Sequence, residues 1–274
     1  MAKLIKKIKN IIPLKTKVIF SYLKNINHNP YSLKSLLKPN QNNSDFFIWD
    51  RDCSSIGFIA ENIRAILLGY QVPIIHHFQF FSKDGELIER QSFETKDFFE
   101  TIKFNKINSD DKYISFIHNV ESRINLKEIL IKKGVNDIEN ISELNRGYTL
   151  YYPYLTSSGA IVHGNFGGIS NNLEKSARQT FIKHIYTPIY RFEQSQKYDL
   201  VFNNPTPKTI QIKIVLNDSF QISYLSIPSM GTRYLRIKKY NGSVSFISKL
   251  SICRALIFKN PTVNKSGNFD VFHS

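Results

Sequence analysis

The stretch TIQIKIVL, Thr209–Leu216, alternates almost without interruption. Ile210, Ile212, Ile214 and Leu216 fall on one face of an extended chain, and Gln211 and Lys213 fall on the other. Successive strand side chains point to opposite faces, so this period of two predicts a strand with one face buried. Only Val215 breaks the polar face. Asp199–Phe202 predicts a strand before it, with Asn203-Asn-Pro-Thr-Pro207 as the turn between. After it come short strands at 222–225, 234–237 and 243–247. Ile227-Pro-Ser-Met-Gly231 and the hairpin dipeptide Asn241-Gly242 punctuate them. Cys253–Phe258 and Phe269–Phe272 close the chain as strands. Short strands with turn signals every 8–12 residues are the pattern of a β-sandwich.

A similar series lies upstream. FFIW (46–49) reads as a strand, and Ile56–Gly69 reads as a helix ending on a glycine cap. VPIIHHFQFF (72–81), LIERQSF (87–93), 101–104 and YISFIHNV (113–120) are strands, with Lys83-Asp-Gly-Glu86 as a hairpin turn. Residues 125–133 have a short helical pattern capped by Gly134. Both series run strand, turn, strand, loop, strand, turn, and then an SFI triplet, Ser115–Ile117 in one and Ser245–Ile247 in the other. That echo predicts a duplicated sandwich. The fold class expected is therefore mainly β. It comprises two β-sandwich-like units, a basic helical N-terminal arm and one or two short helices. The boundaries expected are 1–44 for the arm and linker, 45–145 for a first β-rich unit with a helix near 56–69, and 146–274 for a second β-sandwich unit.

Residues 196–258 resemble the bacterial immunoglobulin-like sandwich modules. The likeness rests on the Asn-Pro turn between the first two strands, the alternating second strand, and the Ile-Pro-x-x-Gly turn into the next. It covers about sixty residues of the 274. The resemblance implies a module that binds, spaces or supports rather than one that catalyses.

Charge is uneven. Residues 1–44 hold nine lysines and no acid, so the arm carries +9 of the net +15. Lys3, Lys6, Lys7 and Lys9 flank an apolar stripe of Leu4, Ile5, Ile8, Ile11 and Ile12 at helical spacing. Such a helix suits an anionic membrane surface, with residues 1–24 as the contact. Packing on the protein's own body or on a partner subunit is the plainer explanation of the same stripe. Nucleic acid is the weaker partner, because no Arg or aromatic residue interleaves these lysines. Two cysteines, Cys53 and Cys253, read as reduced buried thiols. With no apolar run near the ~20 residues of a membrane span, the expected location is cytoplasmic, peripheral to the inner membrane.

Walker, GxGxxG, HExxH, GxSxG and paired CxxC motifs are absent. These absences leave the cofactor unknown. The stretch GYTLYYPYLTSSGAIVHGNFGG (147–168) concentrates tyrosines, small residues and a histidine in a glycine-rich loop. His163, Asn165, Tyr152 and Tyr154 are its ligand-binding candidates, since aromatic faces stack on sugars and amides bond hydroxyls. His163 is also the candidate acid/base, oriented by Asp50, Asp52, Asp199 or Asp270. His77, His118, His163 and His273 are candidate metal ligands if their strand ends converge. Three functional classes follow. The first is a non-enzymatic binding or scaffold protein for a polar ligand such as a glycan. The second is a small enzyme with a histidine site at His163. The third is a nucleic-acid binder using the arm.

Overall fold

Stretches of period two become sixteen strands in the computed structural model, which describes residues 42–134, 147–153, 159–164, 179–206, 208–250, 253–261 and 269–274. The first eight are β1 (Asn42–Asp50), β2 (Cys53–Glu61), β3 (Ile74–Phe81), β4 (Leu87–Thr95), β5 (Phe99–Lys103), β6 (Tyr113–Glu121), β7 (Gly147–Pro153) and β8 (Ala160–His163). The second eight are β9 (Gln179–Tyr186), β10 (Lys197–Asn203), β11 (Ile210–Leu216), β12 (Gln221–Ile227), β13 (Thr232–Lys238), β14 (Val244–Leu250), β15 (Leu256–Lys259) and β16 (Asp270–His273). Two short helices, α1 (Ile63–Leu68) and α2 (Leu126–Lys132), sit among the first set.

The expectation of a mainly β chain holds. The strands form four antiparallel sheets of four: sheet I, β1-β6-β3-β4; sheet II, β5-β2-β7-β8; sheet III, β9-β14-β11-β12; and sheet IV, β13-β10-β15-β16. Adding eight to each strand number converts sheet I into sheet III and sheet II into sheet IV. The registers match as well. Phe116 of β6 stands between Phe47 and Phe80, as Phe246 of β14 stands between Tyr186 and Ile214. Ile59 is opposite Tyr148, which is opposite His163; Val201 is opposite Leu256, which is opposite His273. The SFI triplets occupy the equivalent strands β6 and β14.

Each sheet pair buries facing side chains. Phe47, Phe78, Phe80 and Phe116 of sheet I meet Phe58, Ala60 and Ile102 of sheet II. Phe58 lies edge-on to Phe78 at 5.0 Å and to Phe47 at 5.2 Å, a favoured geometry for aromatic pairs. Ile210, Ile212, Ile214 and Phe246 of sheet III meet Leu200, Phe202 and Ile257 of sheet IV. The inward face assigned to 209–216 is the buried one.

The two sets also pack on each other. The second face of sheet I contributes Phe46, Phe81 and Ile117 to the core of the second set. Ile48 and Tyr113 join Val201, Leu256 and Phe258 of sheet IV. This explains why β6 and β10 are buried on both faces, which periodicity within one strand does not reveal. The β3–β4 turn docks on the β12–β13 turn: Thr232 N donates to Lys83 O at 2.9 Å. Gly85 has φ of 86°, and a Cβ there would meet Ser229 O at 1.8 Å, so both conformation and space require glycine.

The helix expected near 56–69 needs correction. Residues 56–61 belong to β2, and only Ile63–Leu68 is helical. Ile56, Phe58 and Ala60 are buried at period two between the sheets, and that tertiary burial outweighs the helical spacing of Ile56, Ile59 and Ile63. Asn62 starts α1 by accepting from Ala65 N at 3.1 Å, and Gly69 ends it in the left-handed region. Strands from both sides of residue 145 share sheet II, since β7 pairs with β2. Among the described residues, no helix is long and apolar enough to cross a membrane. Both cysteines are free and buried. The arm with Lys3, Lys6, Lys7 and Lys9 lies outside the described residues.

Candidate functional site

The four candidate metal ligands separate into three places. His118 points between sheets I and II, against Phe58 and Phe78. Its Nε2 is 2.8 Å from His76 Nδ1, and His76 Nε2 is 2.9 Å from Thr95 Oγ1. Burial holds both rings neutral: the pKa of His76 falls to about 4, and that of His118 is also lowered. This is a core hydrogen-bond relay. His77 faces the other way, with Nδ1 at 2.8 Å from Ser92 Oγ and Nε2 at 3.2 Å from Glu121 Oε2.

His163 and His273 do meet. Their ring centroids are 4.3 Å apart, and His273 Nε2 donates to His163 O at 3.0 Å. They come together because β8 and β16 are equivalent edge strands that lie against each other, each ending on its histidine. His163 Nδ1 donates to Gly164 O at 2.8 Å. Burial first, then the nearby Arg254 guanidinium, pushes His273 down to about 3, so its ring is neutral. With Nε2 donating, Nδ1 of His273 is the acceptor nitrogen, and it has no hydrogen-bond partner among the described residues. Among the described residues, no three His, Cys, Asp or Glu side chains are grouped to hold a metal ion. Asn165 and Tyr154 lie outside the described residues. Tyr152 is placed by its backbone in β7, opposite Ser55, and its side chain is outside the description. The neighbouring Tyr151 is a packing residue whose hydroxyl donates to Ile48 O at 2.5 Å.

The carboxylates considered as partners for His163 are engaged elsewhere. Asp199 is fully buried and accepts from Arg236 Nε and Nη2, both at 2.7 Å, and from Tyr113 OH at 2.8 Å. Lys112 Nζ lies 3.4 Å from Asp199 and 3.0 Å from Asp52. Asp50 sits behind them, its pKa raised to about 7 by burial, with Asp52 N donating to it. Asp270 accepts from Val271 N at 2.8 Å. Of these acids, Asp199 joins the two strand sets, through Tyr113 and Lys112.

A different surface carries a cavity. Sheet III has its inner face in the core and its outer face open. A cavity of about 550 Å³ lies on that outer face, lined in part by Lys183, Gln211, Lys213, Tyr224, Ile247 and Lys249. Register explains the grouping: Tyr224 of β12 and Ile247 of β14 stand directly opposite Lys213 of β11. Lys249 follows on β14, and Lys183 comes from the adjacent β9. Tyr224 is 69% exposed. No acidic side chain is among the described residues lining the cavity. Alternation already placed Gln211 and Lys213 outward. That lysines from three strands share one cavity had no signal in the sequence, because it depends on which strands are neighbours.

No protein-family model matches the chain, and a search of curated proteins finds no match.

Proposed function

We propose that this chain is a non-enzymatic binding protein for a glycan, built from two β-sandwich units spanning 42–163 and 179–273, the second immunoglobulin-like. The sandwich reading is supported by the two face-to-face sheet pairs with aligned registers. The immunoglobulin-like reading is supported by the neighbours β10-β13 and β11-β14, which correspond to the B–E and C–F pairs of that fold, while β9 beside β14 and β15 beside β10 exchange the sheets of its A and G strands. The binding reading is carried by one observation, the cavity on the outer face of sheet III. An exposed tyrosine ring there offers a flat surface to sugar C–H groups, while the Gln211 amide and lysine ammonium groups donate to hydroxyls. In this reading the basic arm, residues 1–24, holds the protein to the cytoplasmic side of an anionic membrane.

Calorimetric titration of the full chain against a panel of oligosaccharides tests the site. Tyr224→Ala should weaken binding about tenfold, the loss of roughly 1.4 kcal/mol of stacking and contact, with no change in Tm. If no glycan in the panel binds the wild type, the reading fails. The rival is an enzyme at His163, and its support is the contact of the His163 and His273 rings at 4.3 Å. It would gain if His273→Ala abolished a hydrolytic activity without affecting glycan binding.

A further inference from the structure

The two strand sets use the same sheet face for different purposes. In sheet I, the outer face is the docking surface for the second set, and Phe46 is 0% exposed there. Its counterpart in sheet III is Ile185, set by the equivalent pairings Phe46 with Ile117 and Ile185 with Ile247. Ile185 is 71% exposed. The face that is buried between units in one set is open in the other.

The side chains on that face differ in charge. By register, Lys213 stands where the first set has Gln79, and Lys249 where it has Asn119. Gln79 and Asn119 are neutral and buried. The lysines therefore belong to the open face and not to the shared topology. Neighbouring strands lie ~4.8 Å apart, so β11, β14 and β9 place ammonium groups across a width of ~10 Å. Three like charges around one cavity repel one another, and bound negative charge relieves that repulsion.

We propose that the outer face of sheet III takes an anionic oligosaccharide, with Lys183, Lys213 and Lys249 pairing its acidic groups and Tyr224 stacking on a ring. This rests on the glycan reading and specifies the class of glycan. A second copy of the chain fits less well. The open face of sheet II would be its docking surface by analogy, and it presents Lys103 and Thr101 from β5 rather than a cluster of acids.

The test uses the full chain and three sets of probes: uronate-containing, sulfated and phosphorylated oligosaccharides; their neutral counterparts; and inorganic phosphate. The expected result is that an acidic oligosaccharide binds about tenfold or more tightly than its neutral counterpart at low salt, with the preference shrinking at high salt. Lys213→Glu/Lys249→Glu should abolish the preference and leave Tm unchanged, because both side chains reach solvent. Neutral glycans binding as well as acidic ones would overturn the inference while leaving the glycan reading standing. Binding of no glycan at all would remove both. Two further outcomes would overturn it. One is equal competition by inorganic phosphate, which would mark a simple anion site. The other is a salt-sensitive dimer, seen by sedimentation and lost in the double variant, which would make the occupant a second copy.

Discussion

At the residue scale, the buried imidazoles give the protein a defined response to acid. A free histidine titrates near 6.5, whereas His76 is held to about 4 and His118 is also lowered. Between those values the unfolded chain binds protons that the folded chain refuses. The stability contributed by these two rings is therefore fully present above about pH 6.5 and is lost as pH falls towards about 4, whereas Asp50, raised to about 7 by burial, acts in the opposite sense over that range. For His76 alone the loss is on the order of 3 kcal/mol. The second set shows how to remove the effect, since register places Ile210 and Ser248 where the first has His76 and His118. The double variant His76→Ile/His118→Ser should show a shallower fall in Tm between about pH 7 and about pH 4.5. His273 keeps part of the slope. An unchanged slope would mean that the pair does not set acid stability.

At the scale of elements, β11 shows how one strand serves two purposes. Its isoleucines close the core, and the alternate Gln211 and Lys213 line the cavity, so one-residue slippage would exchange the two sets. The N-terminal arm carries an apolar stripe with flanking lysines over residues 3–12. Removing residues 1–40 should greatly reduce sedimentation with anionic phosphatidylserine vesicles and leave glycan binding intact. Equal sedimentation of the full and shortened chains would remove the membrane role. A salt-dependent loss of duplex DNA binding on the same deletion, with vesicle binding unaffected, would assign the arm to nucleic acid instead.

At the scale of the whole molecule, the joint between the two strand sets centres on Asp199. It is fully buried, and it binds Arg236 from its own sheet and Tyr113 and Lys112 from the first set. Asp199→Asn keeps the shape but leaves Arg236 without its buried counter-charge, while Lys112 keeps Asp52. The cost expected is ~3 kcal/mol, the low end for breaking a buried pair, because Arg236 retains access to water. That corresponds to a fall in Tm of roughly 6–12 °C. A change below about 2 °C would show that the joint depends on its apolar contacts instead. The open outer faces of sheets II and III lie at the two ends of this arrangement, and the lysine-lined one is the candidate binding surface.

The sequence by itself determined what depends on near neighbours. Alternation fixed most strands and the inward face of 209–216. Glycine and asparagine chemistry marked the turns at Gly85 and Asn241-Gly242, and the SFI echo pointed to the repeated topology. The candidate site was mostly not legible. His118 and His77 occupy opposite faces of sheet I, in keeping with the side-chain alternation, but their partners come from strands far away in the chain. Tertiary structure alone decided that β6 lies between β1 and β3, that His163 meets His273, and that Lys183, Lys213 and Lys249 surround one cavity. The physical reason is that a strand's period is written along it, whereas its neighbours are selected by burial and hydrogen bonding between segments up to about a hundred residues apart, as with the pairing of Ile59 and Tyr148.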